Sequence, residues 1–312
     1  VETFINDKIH LSGLLTFSKK LVSKIVIDEI SKEIDGNKVA SAKAIGNFTL
    51  ENNNRFYGDF DWAGLTATKN DESFVIGNVQ LSLDQTIIAG DYYQGNAISI
   101  GDFDFSVASI EAKDAATNKA FTLDNMLVNA KSEVSSNDLM TITMNYSAEK
   151  VESAAQKLTN ANLDVKFNGL NINVMQEINK LTTSLQTNSE ELFNPQNMQK
   201  LSVLTSKLLA HDPVIEIKDL SVQTPDGEIK SSMQVSVDNK LFDTTNIMSI
   251  IPALKADAKG KAPLPFFVKL GLAPMIDMYV EQGFIIQQEE ELTFKVNFAQ
   301  GQLNVNGNVI AL

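Results

Sequence analysis

The sequence predicts an α+β protein: a long, curved, mainly antiparallel β-sheet built from repeated strand units, with amphipathic helices packed on its inner face. Three observations carry this expectation. The stretch Phe74 to Leu83 (FVIGNVQLSL) alternates apolar and polar residues, and the alternation changes phase at Gly77-Asn78. The same device returns at Ile98 to Val107 (ISIGDFDFSV), Phe121 to Val128 (FTLDNMLV) and Ile215 to Val222 (IEIKDLSV), with a weaker copy at Ala44 to Leu50 (AIGNFTL). Between and around these copies lie segments with helical spacing, at Ser18–Ile34, Ile172–Gln186, Pro195–Ala210 and Leu264–Phe284. A phase change inside an extended run re-aims the side chains, so Gly77-Asn78, Gly101-Asp102, Asp124-Asn125 and Lys218-Asp219 should each mark a bulge, bend or tight turn.

In chain order, a short strand is expected around Lys8 to Leu15. Leu21, Val22, Ile25, Val26, Ile30 and Ile34 then form an apolar stripe at helical period, with Ser18 as N-cap and Asp35-Gly36 as the stop. Val39 to Tyr146 reads almost wholly as strand, turning at Asn52-Asn53-Asn54, Asn70-Asp71, Gly90-Asp91 and Asn118. Ala148 to Asn160 suits a short helix, followed by a strand at Leu163 to Phe167. Val174, Ile178, Leu181 and Leu185 mark a second helix, and Asn194-Pro195 begins a third that ends at His211-Asp212-Pro213. Ile215 to Val237 is a hairpin turning through Thr224-Pro225-Asp226-Gly227. Thr244 to Leu254 reads as a helix bent or ended at Pro252, Lys255 to Lys261 (KADAKGK) as a linker, and Leu292 to Val309 as a last hairpin with Gly301 in its turn. The whole is expected as one continuous unit, 1–312, with a subdivision into a β-rich part, 1–147, and a mixed helix and hairpin part, 148–312, as the alternative.

Composition narrows the function classes. The chain of 312 residues carries 39 acidic against 26 basic residues, a formal charge of -13, which speaks against nucleic acid as partner. It has no cysteine, so disulfides, thiolate metal sites and cysteine nucleophiles are excluded. No apolar run is long enough to span a bilayer. The chain starts at Val1 without an initiator Met and reads as a mature fragment whose signal or anchor has been removed.

Motifs for chemistry are sparse. Nucleophile elbows, phosphate loops and zinc-protease helices are absent. Asp59-Phe60-Asp61-Trp62-Ala63-Gly64 imitates part of a calcium loop but fails at Ala63 and at Asn70, where ligands are required. Its alternation with Phe60 and Trp62 is that of a strand with one wet face. Asp102 and Asp104 alternate with Phe103 and Phe105 in the same way. His10 and His211 are the only histidines; His211 sits at a helix C-terminus, where the dipole favours an imidazolium. Glu289-Glu290-Glu291 reads as a charged turn protecting a hairpin.

Three features together resemble the YdgA-like bacterial family, domain of unknown function 945: Phe60-Asp61-Trp62-Ala63-Gly64-Leu65, the unit Pro213 to Ile229 (PVIEIKDLSVQTPDGEI), and the ending in which VEQGFI leads to GQLNVNG. The resemblance covers the last two thirds of the chain well and the start loosely. It implies an envelope protein facing the periplasm and tethered to the inner membrane by an N-terminal segment. The strand units resemble, more distantly, the AsmA-like β-groove proteins associated with lipid handling. The family carries no established activity, so no functional residue is transferred.

The leading expectation is a non-enzymatic envelope protein, a binding or scaffold module that holds a lipid or other apolar ligand. The alternative is a protein-interaction module that uses a sheet edge or an apolar patch to bind an envelope protein, and the third is a hydrolase without a recognisable motif. No catalytic residue, metal or cofactor is expected. The candidate ligand-binding element is Leu264 to Phe284, with Phe266, Phe267, Leu270, Leu272, Met275, Ile276 and Tyr279 as lid or groove lining; the plainer reading is a helical hairpin laid over the sheet.

Overall fold

A computed structural model describes residues 6–34, 36–114, 119–136, 138–153, 156–185, 194–243 and 246–310. The chain begins with β1 (Ile9–Leu15), β2 (Lys20–Ile27), β3 (Ile30–Ile34), β4 (Asn37–Ser41), β5 (Ala44–Glu51), β6 (Arg55–Trp62) and β7 (Leu65–Lys69). Next come β8 (Glu72–Ile76), β9 (Val79–Ala89), β10 (Ile98–Asp114), β11 (Lys119–Ser136), β12 (Leu139–Ser153) and β13 (Lys157–Asn171). Two helices, α1 (Ile172–Leu185) and α2 (Pro195–Leu209), precede the hairpin of β14 (Val214–Thr224) and β15 (Gly227–Val237). The remainder is α3 (Ile250–Ala253), β16 (Leu254–Pro263), α4 (Leu264–Lys269), α5 (Ala273–Glu281), β17 (Ile286–Gln288), β18 (Glu291–Ala299), β19 (Gln302–Val305) and β20 (Asn308–Ile310). The fold is mostly antiparallel sheet with a few helices. Contacts divide it into two units: Val1–Thr86, Ile100–Lys131 and Met144–Asn162 form one, and Ile87–Ser99, Ser132–Thr143 and Leu163–Leu312 the other.

The first unit is organised by a crease. Extended segments are interrupted at Asp28-Glu29, Ala42-Lys43, Ala63-Gly64 and Gly77-Asn78. On one side the ladder runs β1, β2, β5, β6, β9. On the other it runs β3, β4, β7, β8, β10. The interruptions align across the sheet: the Ala42 N–H donates to the Gly64 carbonyl at 2.9 Å, Gly77 N–H to Ser109 at 2.8 Å, and Ala108 N–H to Asn78 at 2.8 Å. Each two-residue pair is thus one segment of a continuous line along which successive strands change partner.

Residues directly opposite in a ladder share a face, so the register shows which face is apolar. Ile25, Gly46, Phe60 and Leu81 form one row and Ile27, Ala44, Trp62 and Val79 the next. The opposite face carries Lys24, Asn47, Asp59 and Ser82. It is stitched by cross-strand amide–carboxylate bonds: Asn47 to Asp59 at 3.2 Å, Gln80 to Asp61 at 2.9 Å, Asn129 to Asp104 at 2.6 Å, and Asn125 to Glu149. Those bonds occupy Asp59 and Asp61 of the calcium-like motif and Asp104 of the paired aspartates, while the Asp102 carbonyl accepts from Gln85 at 3.0 Å. On the apolar face Phe48 lies over Gly58 and Phe60 over Gly46, each its direct strand partner. Added Cβ atoms there would meet the rings at 2.6 and 3.2 Å.

The second unit repeats the pattern. Ile217, Met233, Ala258, Val296 and Val305 form an apolar row, and Glu216, Gln234, Asp257, Asn297 and Asn304 the adjacent polar one. Val237, Phe242 and Ala253 are buried together, with Leu209 from the end of α2, Ile250 and Leu254 packed on them. Asn194 caps α2 by accepting from the Gln196 N–H at 3.0 Å. Thr183 of α1 donates to the Gly95 carbonyl at 2.8 Å.

The expected phase-shift pairs all fall on irregularities. Gly77-Asn78 separates β8 from β9. Gly101 has φ 139°, and a Cβ there would lie 1.9 Å from the Asp84 carbonyl oxygen. Asn125 has φ 48°, and the β14–β15 register shifts between Ile217 and Leu220.

Three expectations are corrected. Ser18–Ile34 is not a helix but β2 and β3. Leu21-Val22 and Ile25-Val26 imitate a helical stripe because β2 is apolar on both faces, with Val22 opposite Leu14 of β1. Of the helix expected over Ala148–Asn160, residues 148–153 end β12 and 157–160 begin β13, while Ala154 and Ala155 lie outside the described residues. Lys150 there bridges Asp124 at 3.1 Å and Glu152 at 3.4 Å. Lys255–Lys261 is not a linker but β16, paired on both sides by β15 and β18. Its Ala256, Ala258 and Gly260 are an apolar face of small residues beneath Phe298, Val296 and Phe294. The expected turn at Asn118 and the helix end at Gln186 lie outside the described residues.

Candidate apolar binding site

Beyond the crease in the first unit, Val39, Ala67, Phe74 and Ala112 stand directly opposite one another on β4, β7, β8 and β10. Phe121 of β11 closes the same groove, whose volume is about 480 Å³. That volume lies inside the ~300–1,000 Å³ range of small-molecule sites. The alternation of size makes the trough: alanines sit low between Val39, Phe74 and Phe121. These three keep 37%, 38% and 39% of their surface exposed, so apolar side chains reach solvent along this face. Five strands at ~4.8 Å spacing give the trough a length of roughly 19 Å. The first unit has no α-helix among its described residues.

The surroundings grade from apolar to charged. Toward the crease the next row is Ser41, Leu65, Ile76 and Ile110; away from it is Asn37, Lys69, Glu72 and Asp114. On the reverse face Lys38, Thr68, Ser73 and Lys113 share a row. Lys113 pairs with Glu111 at 2.8 Å and Lys38 with Glu33 at 3.7 Å. The trough therefore offers burial and dispersion along its length, with charge at one rim. Among the described residues no three acidic or histidine side chains converge in a metal-binding arrangement. His10 meets Asp28 at 2.9 Å on the exposed face. No helix among the described residues is long and apolar enough to cross a membrane.

The residues singled out in Leu264 to Phe284 lie in the second unit, on α4, α5 and the turn between them. Phe266 and Phe267 are half-buried and meet edge to face at 5.4 Å. Ile276 is buried, Leu272 and Tyr279 are half-buried, and Tyr279 contacts Phe284 at 6.3 Å. Leu270 and Met275 are exposed, beside Val268 and Met278. Lys269 is tied to Asp226 in the hairpin turn of β14 and β15. Sequence reasoning did not single out the trough residues. Phe74 and Phe121 each open a copy of the repeated stretch, which is a usable signal, but Ala67 and Ala112 carry too little hydrophobicity to stand out.

The fold and site define a sheet protein with one apolar face per ladder and an open apolar trough, with no constellation for chemistry among the described residues. The chain belongs to the family described as bacterial protein of unknown function, DUF945, which matches residues 2–312. No curated protein and no solved structure matches it.

Proposed function

We propose that this is a non-enzymatic binding protein of the bacterial envelope, facing the periplasm, which holds an alkyl or acyl chain in the trough of the first unit. The observation that carries the reading is the register row Val39, Ala67, Phe74 and Ala112, continued by Phe121: apolar side chains aligned across strands, half-exposed, with alanines forming the floor. Burying such a row against an alkyl chain gains about 25 cal/mol per Å² of apolar surface. The envelope setting rests on the resemblance to the YdgA-like family, which implies a periplasm-facing protein, and the lack of cysteine is compatible with it. The more distant resemblance to AsmA-like β-groove proteins points the same way.

The test uses parity. Ala67→Trp fills the trough, whereas Thr66→Trp places the same bulk on the reverse face, since Thr66 shares a row with Ala40 and Val75. A fluorescent fatty acid should bind the natural protein and Thr66→Trp alike and lose about tenfold or more in affinity for Ala67→Trp. Purified protein should release acyl chains on solvent extraction. No binding to the natural protein, or equal binding by both variants, overturns the reading.

A further inference from the structure

We propose that two copies of this chain pair through β1, edge to edge and antiparallel, about a two-fold axis at Ser12. Among the described residues β1 pairs with β2 alone. The Lys8 carbonyl accepts from Asp28 N–H, and Thr16 N–H donates to Lys20, so the even-numbered residues bond inward. The N–H and C=O groups of Ile9, Leu11, Gly13 and Leu15 are left pointing outward. Leu11 and Leu15 are 73% and 74% exposed, an apolar edge of the kind proteins usually blunt with charge or proline.

Gly13 says what covers it. A glycine inside a strand weakens it and marks either a bulge or a close approach by another group. Its own chain does not require this one: a Cβ would make only ordinary contacts, the nearest at 3.7 Å to Leu21, and its φ is not positive. Elsewhere in the fold, strand glycines without positive φ at Gly46, Gly58 and Gly260 lie beneath the ring of the residue directly opposite, Phe60, Phe48 and Phe294. Pairing β1 with β1 about Ser12 repeats that arrangement. Leu11 of each copy lies over Gly13 of the other, Ile9 faces Leu15, His10 faces Leu14, and all seven residues find partners. Sliding by two residues sets glycine against glycine or leaves one end unpaired. Because paired residues share parity, the apolar face with Ile9, Leu11 and Leu15 continues unbroken from copy to copy. This inference stands independently of the acyl-chain reading.

The chain has no cysteine, so Ser12→Cys introduces a single thiol at the axis. Its position is one whose backbone bonds point away from the partner strand, where side chains come closest and a disulfide fits. Sedimentation of the full chain should show concentration-dependent mass between one and two copies. Under mild oxidation Ser12→Cys should form disulfide dimers at least about tenfold faster than Asn53→Cys in an exposed turn. Leu11→Pro removes an outward N–H that the β1–β2 ladder does not use, and should weaken the dimer while leaving the circular dichroism spectrum unchanged. One-copy mass at every concentration with equal oxidation rates for the two cysteine variants overturns the proposal. So does a dimer as strong in Leu11→Pro as in the natural chain.

Discussion

A Cβ on Gly64 would lie 2.1 Å from the carbonyl oxygen of Ile76, on the neighbouring strand where it meets the crease. Gly64 also has φ 110°, a conformation that side-chain-bearing residues rarely adopt. Gly64→Ala should therefore destabilise the protein by roughly 3 kcal/mol or more, combining backbone strain with a clash against main-chain atoms. Gly271→Ala separates the two effects, because Gly271 has φ 75° and nothing within 4 Å of the added Cβ. It should cost only about 1 kcal/mol. Urea unfolding midpoints measure both; equal costs would mean that close packing at the crease does not govern stability.

The crease was legible as a phase change in FVIGNVQLSL, because a two-residue interruption in period two leaves a mark on each strand separately. What the alternation could not show is that Asp28-Glu29, Ala42-Lys43 and Ala63-Gly64 fall on the same line, since alignment is a property of neighbouring strands. The strand Lys255–Lys261 was illegible for a different reason. Its dry face is alanine and glycine, and the bulk that fills the space comes from Phe294, Val296 and Phe298 on the next strand. Ala67 and Ala112 in the trough are hidden in the same way between Val39 and Phe74. Hydrophobic pattern reveals the residues that fill space and passes over those that leave room for them.

The cross-strand ion pairs set a pH dependence. Arg55 donates to both carboxylate oxygens of Asp84, at 2.9 and 2.6 Å, and holds its carboxyl below the ordinary range. Lys261 does the same for Glu228 and Lys255 for Asp238. With lowered folded-state values, the folded chain binds fewer protons than the unfolded one near pH 4, so acid favours unfolding. The contribution is complete above about pH 5 and is lost as pH falls through the lowered values. On the alkaline side, Glu51 raises Lys20, Asp124 and Glu152 raise Lys150, and Glu228 raises Lys261. That stability is present below the ordinary lysine range and lost as pH climbs through the raised values. The urea midpoint should be flat between about pH 5 and 9 and decline on both sides. Asp84→Asn should make the acid decline shallower; an unchanged slope would show that the Arg55 pair does not contribute.

Phe242 tests the joint between helix and sheet in the second unit. It is 8% exposed and packs with Val237 and Ala253, where Leu209 brings the end of α2 to the dry face of β15 and β16. Phe242→Ala should cost about 3–5 kcal/mol. Ala253 has no exposed surface, so Ala253→Leu should destabilise by about 1–3 kcal/mol through overpacking. A Phe242→Ala loss below about 1 kcal/mol would show that the cluster can collapse around the gap.

The α4–α5 pair invites a sharper division between packing and contact. Ile276 is 3% exposed, whereas Met275 on the same helix and Leu270 in the turn before it are 42% and 44% exposed. If burial within the fold is what keeps this segment apolar, Ile276→Ala should lose about 2–5 kcal/mol. Leu270→Ser and Met275→Ser should remain within about 0.5 kcal/mol of the natural protein, as exposed positions do. Unfolding midpoints for the three variants decide the matter. A large loss at Leu270 or Met275 would place them in the core. A negligible loss, joined to weaker association with vesicles or with an envelope protein, would show that their apolar character serves something outside the chain.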